Sequence, residues 1–199
     1  MTPARVLGAL KRGNDRFRAK QRLVRTYIAR GRPTATEQHP SAVILGCIDS
    51  RVPAEIVFGL GIGDAFIVRI AGNVVNDDVL GSLEFACAVA GAQVVVVLGH
   101  TGCGAIQGAI AGVKLGKLTA LLAQIKAAIT ATAFTGERSS SDAAYVDAVA
   151  QTNVMLMVES VRRRSRILAE LEKKGGLVIA GAMYDLKTGK VTFAGARDS

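Results

Sequence analysis

Tryptophan is absent from this chain of 199 residues, aromatic residues make up only 5% of it, and cysteine occurs three times. The odd number of cysteines, at Cys47, Cys87 and Cys103, argues against a disulfide framework and for reduced thiols or metal ligands. No apolar run is long enough to span a bilayer, so we expect no membrane partner. The first residues lack the apolar region and cleavage site of a signal peptide. We therefore expect a cytoplasmic protein, or a periplasmic one if a leader has been removed.

Acidic residues are few. The chain has 16 aspartates and glutamates and 25 lysines and arginines, which gives a net charge of +9. A basic balance can indicate nucleic-acid binding. The basic residues here concentrate between Lys11 and Arg22 and at Arg162–Arg166, in helical patterns without interleaved aromatic residues. We interpret them as solvated helix faces and expect no nucleic-acid partner.

Apolar residues are abundant, at 50% of the chain, and 22 residues are glycine. Four apolar runs have the length and composition of buried parallel strands, and a fifth segment near the end predicts an antiparallel edge strand. These segments are Ala42–Cys47, Ala65–Ile70, Val94–Gly99, Leu177–Ala182 and Lys190–Ala194. The sequence thus predicts an α/β fold with a mostly parallel central sheet of four strands plus an antiparallel edge strand, flanked by helices.

Helical patterns fill the segments between the predicted strands. Thr2 and Pro3 mark the start of a first helix, and further helices are predicted at about 79–90, 104–112, 118–133 and 143–173. A breaker at Gly31–Pro33 follows the first helical region. We expect one domain over residues 1–199, in which residues 1–30 form an N-terminal helical arm.

The first predicted strand ends in CIDSRV (47–52), where Cys47, Asp49 and Arg51 alternate and so share one face of an extended chain. The third predicted strand ends in GHTGCG (99–104), a glycine-rich turn with His100 and Cys103 three positions apart. Ligand sites in open α/β sheets form at the carboxyl ends of strands. Together the two strand ends offer two thiols, an imidazole and a carboxylate, a donor set that suits Zn²⁺.

Three protein ligands and an open fourth position are typical of a catalytic zinc site, where bound water loses a proton near neutral pH. Asp49 would accept a hydrogen bond from this water, or bind the metal itself and close the site. Arg51 would hold Asp49 by a bidentate pair and keep it ionised.

Each of these residues also has a plainer interpretation. Cys87, within FACAVAG (85–91), reads as a small apolar residue of a helix. Asp49 and Arg51 would form a simple Asx turn with a surface ion pair, and His100 alone would be a core or capping histidine. The glycine-rich turn fails the G-x-G-x-x-G spacing of a dinucleotide site, because Gln107 takes the last glycine position. Their joint occurrence at two strand ends favours the metal site.

The combination of CIDSRV and HTGCG resembles the β-class carbonic anhydrases of bacterial type. RIAGNV (69–74) and GAMYDLKTG (181–189) extend the resemblance over nearly the whole chain. It implies one Zn²⁺ per subunit held by Cys47, His100 and Cys103. Asp49 and Arg51 would be the catalytic dyad, with Asp49 as a fourth ligand in a closed state. The implied reaction is the reversible hydration of CO2 to bicarbonate and a proton through zinc-bound hydroxide.

Two positions relate the chain to subtypes of that family. The plant-like subtype has a glutamine nine residues before the first zinc cysteine, here Gln38, whereas the bicarbonate-inhibited subtype has a tryptophan three residues before it, here Ile44. The resemblance therefore implies a plant-like site with an open metal position. It also implies a substrate pocket, contributed largely across a dimer interface, at Gln38, Phe66, Ala71, Phe85 and the backbone amide of Gly104.

The resemblance further implies a homodimer, alone or paired into a tetramer, in which the N-terminal helix reaches over the partner. An apolar stripe of Val6, Leu7, Leu10 and Phe17 would serve such an arm, or would pack on the core of its own chain. Two other functions use the same residues. One is hydrolysis of COS or CS2 on the same scaffold, and the other is non-catalytic binding of zinc or bicarbonate with Asp49 permanently on the metal.

Overall fold

The computed structural model describes residues 1–21 and 37–195. Its centre is a sheet of five strands in the order β2-β1-β3-β4-β5. The strands are β1 Ala42–Gly46, β2 Ala65–Arg69, β3 Val94–His100, β4 Val178–Tyr184 and β5 Val191–Ala194. The pairs β1–β2, β1–β3 and β3–β4 are parallel, and β4–β5 is antiparallel. The predicted fold class and all five strands are confirmed to within two residues.

One strand differs from the prediction in its burial. Every residue of β1 and β3 is buried, whereas the residues of β2 are half-buried and Arg69 at its end is exposed. The reason is its place in the sheet, because β2 forms one edge and, in the part of the chain that the structure describes, pairs with β1 alone. The apolar composition of this strand therefore leaves an apolar sheet edge that its own subunit covers only in part.

Eight α-helices lie among the described residues. They are α1 Pro3–Arg18, α2 Ala54–Val57, α3 Asp77–Glu84, α4 Gly104–Ile110, α5 Gly116–Ala123, α6 Lys126–Ala131, α7 Ala143–Arg164 and α8 Arg166–Lys173. A 3-10 turn at Ala71–Asn73 follows β2, and a π-helical turn at Phe85–Val89 continues α3. The hydroxyl of Thr2 caps α1, and the carboxylate of Asp142 caps α7 by accepting two backbone N–H groups.

Two predicted helices are each divided in two. The segment 118–133 breaks between Ala123 and Lys126, and the segment 143–173 breaks at Ser165. Ser165 ends α7 in an extended conformation and caps α8, because its hydroxyl accepts the N–H of Leu168 and donates to Glu84. A single long helix was the wrong prediction here, since the polar residue inside the basic run acts as a cap.

Alternate residues of the central strands face two separate apolar clusters. Val43 and Leu45 of β1 belong to the first cluster, and Ile44 belongs to the second. The buried face of α7 covers the first cluster, whereas α1 and α2 cover the second. The sheet is therefore a middle layer between two layers of helices, and Cys47 continues the face of β1 that lies under α7.

The apolar stripe of α1 packs on the core of its own chain. Val6 and Leu10 are buried in the second cluster, and Leu7 and Phe17 pack against it. The backbone of α1 lies directly against the backbone of Phe58, since a Cβ atom at Gly13 would lie 1.9 Å from the carbonyl oxygen of Phe58. Val6 and Leu10 are therefore not available to a partner, whereas Leu7 and Phe17 are half-buried. The end of the predicted arm at residue 30 and the breaker at Gly31–Pro33 lie outside the described residues.

The basic run Arg162–Arg166 is predicted to be a solvated helix face, and for Arg162 this prediction is wrong. Its side chain is only 7% exposed and makes a bidentate pair with Glu172 at 2.8 Å, as well as hydrogen bonds to backbone carbonyls of Ile179 and Gly195. Arg162 thus ties α7 to α8 and to β4. In the described part of the chain, no helix is long and apolar enough to cross a membrane.

Candidate metal centre

The parallel pairing of β1 with β3 brings the two predicted strand ends together. Gly46 lies beside Leu98, so the residues that follow β1 meet those at the end of β3 at the same edge of the sheet. There the ligand atoms of Cys47, His100 and Cys103 all lie within 4.8 Å of one another, and all three residues are buried. The two sulfur atoms are 3.9 Å apart. The structure therefore brings together the three residues predicted as metal ligands.

His100 has the orientation of a metal ligand. Its Nδ1 lies 2.9 Å from the carbonyl oxygen of Thr101, an acceptor only, so Nδ1 carries the hydrogen and Nε2 carries the lone pair. Nε2 is buried and has no hydrogen-bond partner among the described residues. A buried nitrogen lone pair beside two thiols fits a metal ion, and two sulfurs with one imidazole are a donor set that Zn²⁺ prefers.

The two thiols differ in how readily they lose a proton. The pKa of Cys47 is lowered to about 4, first because the Cys103 thiol donates a hydrogen bond to its sulfur. The pKa of Cys103 is raised, because of that same hydrogen bond and because of burial. The pair thus carries a thiolate near neutral pH, and a cation would replace the remaining proton. Cys87 differs, since burial raises its pKa to about 12, and it is confirmed as a small buried residue.

Asp49 and Arg51 form the predicted bidentate pair beside this cluster. Arg51 donates from Nε to Oδ1 at 2.9 Å and from a terminal nitrogen to Oδ2 at 2.7 Å. These hydrogen bonds are the main reason why the pKa of Asp49 is lowered to about 2. The N–H of Arg51 also donates to Oδ1, so the Asx turn of the plainer interpretation is present as well. Oδ2 of Asp49 lies 3.9 Å from Nε2 of His100, and the carboxylate therefore faces the cluster.

The residues predicted to bind substrate are only partly assembled. The rings of Phe66 and Phe85 meet edge to face with centroids 6.2 Å apart, and Phe85 is 50% exposed. Ala71 begins the 3-10 turn after β2, and Gly104 is the first residue of α4. Gln38 is exposed in the segment before β1 and makes no hydrogen bond to the cluster within the described ranges.

Two residues of α7 that the sequence did not indicate also reach this site through the backbone. Asn153 donates to the carbonyl oxygen of Gly72 at 2.9 Å, and the N–H of Gly72 lies 3.4 Å from the sulfur of Cys47. Asp147 accepts the N–H of Gly102 at 2.7 Å. No local spacing links these residues to the ligands, but Asn153 is a fully buried amide on the apolar face of a helix, which is a detectable signal.

Comparison with known proteins agrees with this geometry. The family described as carbonic anhydrase matches residues 42–191. Carbonic anhydrase 2 of Mycobacterium tuberculosis is 37% identical over 190 residues, which cover 94% of this chain and 91% of that protein. A carbonic anhydrase of Mycolicibacterium smegmatis is 36% identical over 191 residues, which cover 95% of this chain and 92% of the relative.

A solved structure extends the likeness to the fold. The β-carbonic anhydrase of Coccomyxa, in complex with acetazolamide, superposes with a TM-score of 0.73 at 26% identity, covering 94% of this chain and 83% of that one. The chain belongs to the carbonic anhydrase family, and its fold is that of the β class.

Proposed function

We propose that this chain catalyses the reversible hydration of CO2 to bicarbonate and a proton, with one Zn²⁺ held by Cys47, His100 and Cys103. The observation that carries the proposal is the buried Nε2 of His100, which has no hydrogen-bond partner among the described residues and lies within 4.8 Å of two thiol sulfurs that are themselves 3.9 Å apart. Membership of the carbonic anhydrase family supports the reaction. A zinc ion in such a site supplies a Lewis acid that lowers the pKa of coordinated water towards 7.

Asp49 would act as a hydrogen-bond acceptor at the edge of the metal site. With a pKa of about 2, its carboxylate is ionised at every pH at which the protein is expected to work, so it accepts hydrogen bonds and cannot donate one. A carboxylate that can only accept orients a hydroxyl group by binding its hydrogen. The lone pairs of the hydroxyl oxygen then stay free to attack carbon. Asp49 would therefore position the nucleophile rather than exchange protons with it.

Arg51 would keep the fourth metal position open. Its two side-chain hydrogen bonds occupy both oxygens of Asp49, and it also donates to the carbonyl oxygen of Gly102 at 3.3 Å. A carboxylate that binds a metal would have to give up at least part of this bidentate pair. The arrangement thus supports an open site, as in the plant-like subtype, over a site closed by Asp49.

The substrate would bind against the apolar surface of Phe66, Phe85 and Ala71. CO2 is small and uncharged, so apolar contacts suit it better than a charged group would. The N–H of Gly104 and the amide of Gln38 would orient its oxygens as negative charge develops on them. Because Gln38 and Phe85 are exposed in the single subunit, a second subunit would be needed to complete this pocket.

The same surface supports a homodimer. Among residues 1–21 and 37–195, no strand pairs with the outer side of β2. Phe85, whose ring contacts Phe66 of that strand, is 50% exposed, and Val89 of the same π-helical turn is 73% exposed. An open edge next to apolar side chains is a surface that soluble proteins normally cover. We expect Val89→Lys to produce monomers in analytical ultracentrifugation, whereas Ile167→Lys, a matched change of an exposed apolar residue on α8, leaves the dimer intact. A wild-type monomer at micromolar concentration would contradict this part of the proposal.

The experiment that tests the reaction is stopped-flow CO2 hydration on protein whose zinc content has been measured. We expect turnover in proportion to bound zinc, and its loss on removal of the metal by a chelator. COS and CS2 should be assayed in parallel, because a hydrolase would use the same ligands. Full zinc occupancy without measurable CO2 hydration would contradict the proposal. No contact among the described residues favours either alternative function.

A further inference from the structure

A single peptide group connects Asp147 of α7 with His100. The N–H of Gly102 donates to Oδ1 of Asp147 at 2.7 Å, and the carbonyl group of that same peptide, from Thr101, lies 2.9 Å from Nδ1 of His100. We propose that Asp147 is a positioning residue for His100, acting through the peptide group between Thr101 and Gly102. The inference rests on the metal site of the proposed function but not on its reaction.

The physical basis is the polarisation of this peptide group. A carboxylate that accepts the N–H pushes electron density through the amide towards the carbonyl oxygen at the other end of the peptide, and hydrogen bonds in series strengthen one another. A more negative oxygen on Thr101 holds the Nδ1 hydrogen more firmly. This fixes the tautomer and ring orientation of His100 and makes Nε2 a stronger donor to a metal. A carboxylate behind a ligating histidine commonly does this by direct contact; here one peptide lies between them.

Further hydrogen bonds fix the position of the turn that contains Thr101 and Gly102. The N–H of Thr101 donates to the carbonyl oxygen of Tyr184 at 3.0 Å, and the hydroxyl of Thr101 accepts the N–H of Leu186 at 3.0 Å. These contacts fix the turn to the end of β4. Gly102 itself has a φ of +60°, a conformation in which a side chain would be strained. On the side of the turn that faces α7, Asp147 accepts the N–H of Gly102.

Within residues 1–21 and 37–195, Asp147 has no second hydrogen-bond partner that would account for its place. It is half-buried in the second turn of α7, where its neighbours Tyr145 and Val146 are fully packed in the core. No lysine or arginine among the described residues forms an ion pair with it. A partly buried carboxylate without a cation is costly unless strong donors satisfy it. The N–H of Gly102 is such a donor, and it connects the carboxylate to the metal site.

The test compares Asp147→Ala and Asp147→Asn with wild type and with Gln151→Ala. Gln151 lies one helical turn further along α7 and is exposed, so it is a matched control. Apparent zinc affinity is measured by competition with a chromophoric chelator. The chemical shift of the Nδ1 proton of His100 is measured by NMR on zinc-loaded protein, and thermal unfolding is measured on metal-free protein.

We expect Asp147→Ala to weaken zinc binding by roughly tenfold or more, within the range known for residues behind metal ligands. The Nδ1 proton should move upfield as its hydrogen bond weakens. Asp147→Asn keeps an oxygen acceptor without the charge, and its values should fall between those of Asp147→Ala and wild type. Gln151→Ala should match wild type in both measurements.

Three results would overturn the inference. The first is wild-type zinc affinity and an unmoved Nδ1 resonance in Asp147→Ala. The second is a loss of zinc affinity that Gln151→Ala shares. The third is a full loss of zinc affinity in Asp147→Asn together with an equal loss of metal-free stability, because this would indicate a purely structural role. Failure of the proposed function looks different, because wild type would then bind zinc with the expected dependence on Asp147 but would not hydrate CO2.

Discussion

Arg51 holds the carboxylate of Asp49 by two parallel hydrogen bonds, of 2.9 Å from Nε to Oδ1 and 2.7 Å from a terminal nitrogen to Oδ2. This pair faces three buried side chains that can ligate a metal, with Oδ2 of Asp49 3.9 Å from Nε2 of His100. The guanidinium is 58% exposed and the carboxylate only 14% exposed. Arg51 therefore lies between solvent and a carboxylate that points inwards, and its removal should change the state of Asp49 more than the fold.

Replacement of Arg51 by alanine should free Asp49 to take the fourth metal position. We expect CO2 hydration to fall by on the order of 10²-fold, a typical effect of losing one positioned group. Zinc content should remain near one per subunit. Stopped-flow assays with metal analysis check both values. Arg51→Lys is the matched control that keeps the charge without the bidentate geometry, and it should restore little activity. Wild-type turnover in Arg51→Ala would show that the pair has no role in the reaction.

The paired carboxylate should also affect stability at low pH. The pKa of Asp49 is about 2 in the folded protein, against 3.8 for the free side chain, chiefly because Arg51 donates hydrogen bonds to it. A lowered pKa stabilises the folded state above pH 4, and this contribution is lost as pH falls from about 4 to about 2. Allowing for the exposure of Arg51, it amounts to on the order of 1 kcal/mol.

The measurement is urea unfolding of metal-free wild type and Asp49→Asn between pH 6 and pH 2.5. The difference in free energy of unfolding should be constant above pH 5 and should shrink below pH 4. A difference that stays constant down to pH 2.5 would mean that Asp49 has an ordinary pKa.

Cys103 and Cys87 should respond differently to substitution. Cys103→Ser should lose most of its zinc and some stability, because metal binding and folding are coupled. Cys87→Ala is the matched control, since Cys87 is also buried but lies outside the ligand cluster, and it should keep stoichiometric zinc. Metal analysis of dialysed protein checks this. Stoichiometric zinc in Cys103→Ser would mean that the ligands are assigned wrongly.

A pair of helix glycines tests the packing of α1 on its own chain. In Gly13→Ala the added Cβ would meet the carbonyl oxygen of Phe58 at 1.9 Å, so we expect destabilisation by more than about 2 kcal/mol. In Gly81→Ala nothing lies within 4 Å of the added Cβ, and helix propensity should stabilise the protein by about 0.5–1 kcal/mol. Chemical denaturation of both variants gives the two values. Equal stabilities would indicate that α1 does not pack against Phe58.

Much of the site was predictable because its ligands lie at the ends of apolar strands. Strands of this composition are recognisable in the sequence, and parallel pairing brings their carboxyl ends to one edge. Cys47, His100 and Cys103 follow from this rule together with the chemistry of thiols and imidazole. The Asp49–Arg51 pair follows from alternation along an extended chain.

The contribution of α7 could not be predicted, for a physical reason. Asp147 and Gly102 are 45 positions apart in the chain, and their contact depends on how the helix lies across the sheet. The same holds for Arg162, whose partners lie on α8, on β4 and just after β5. A cluster of basic residues looks the same in the sequence whether it is solvated or paired. Only the tertiary packing distinguishes these cases.

X-ray absorption at the zinc edge tests the central claim most directly. The account predicts two sulfur ligands at about 2.3 Å, one imidazole nitrogen at about 2.0 Å and one further light atom in wild type. One sulfur should be lost in Cys103→Ser that has been reconstituted with excess zinc. A spectrum with three or four sulfurs, with one or none, or without the imidazole would contradict a centre built by Cys47, His100 and Cys103.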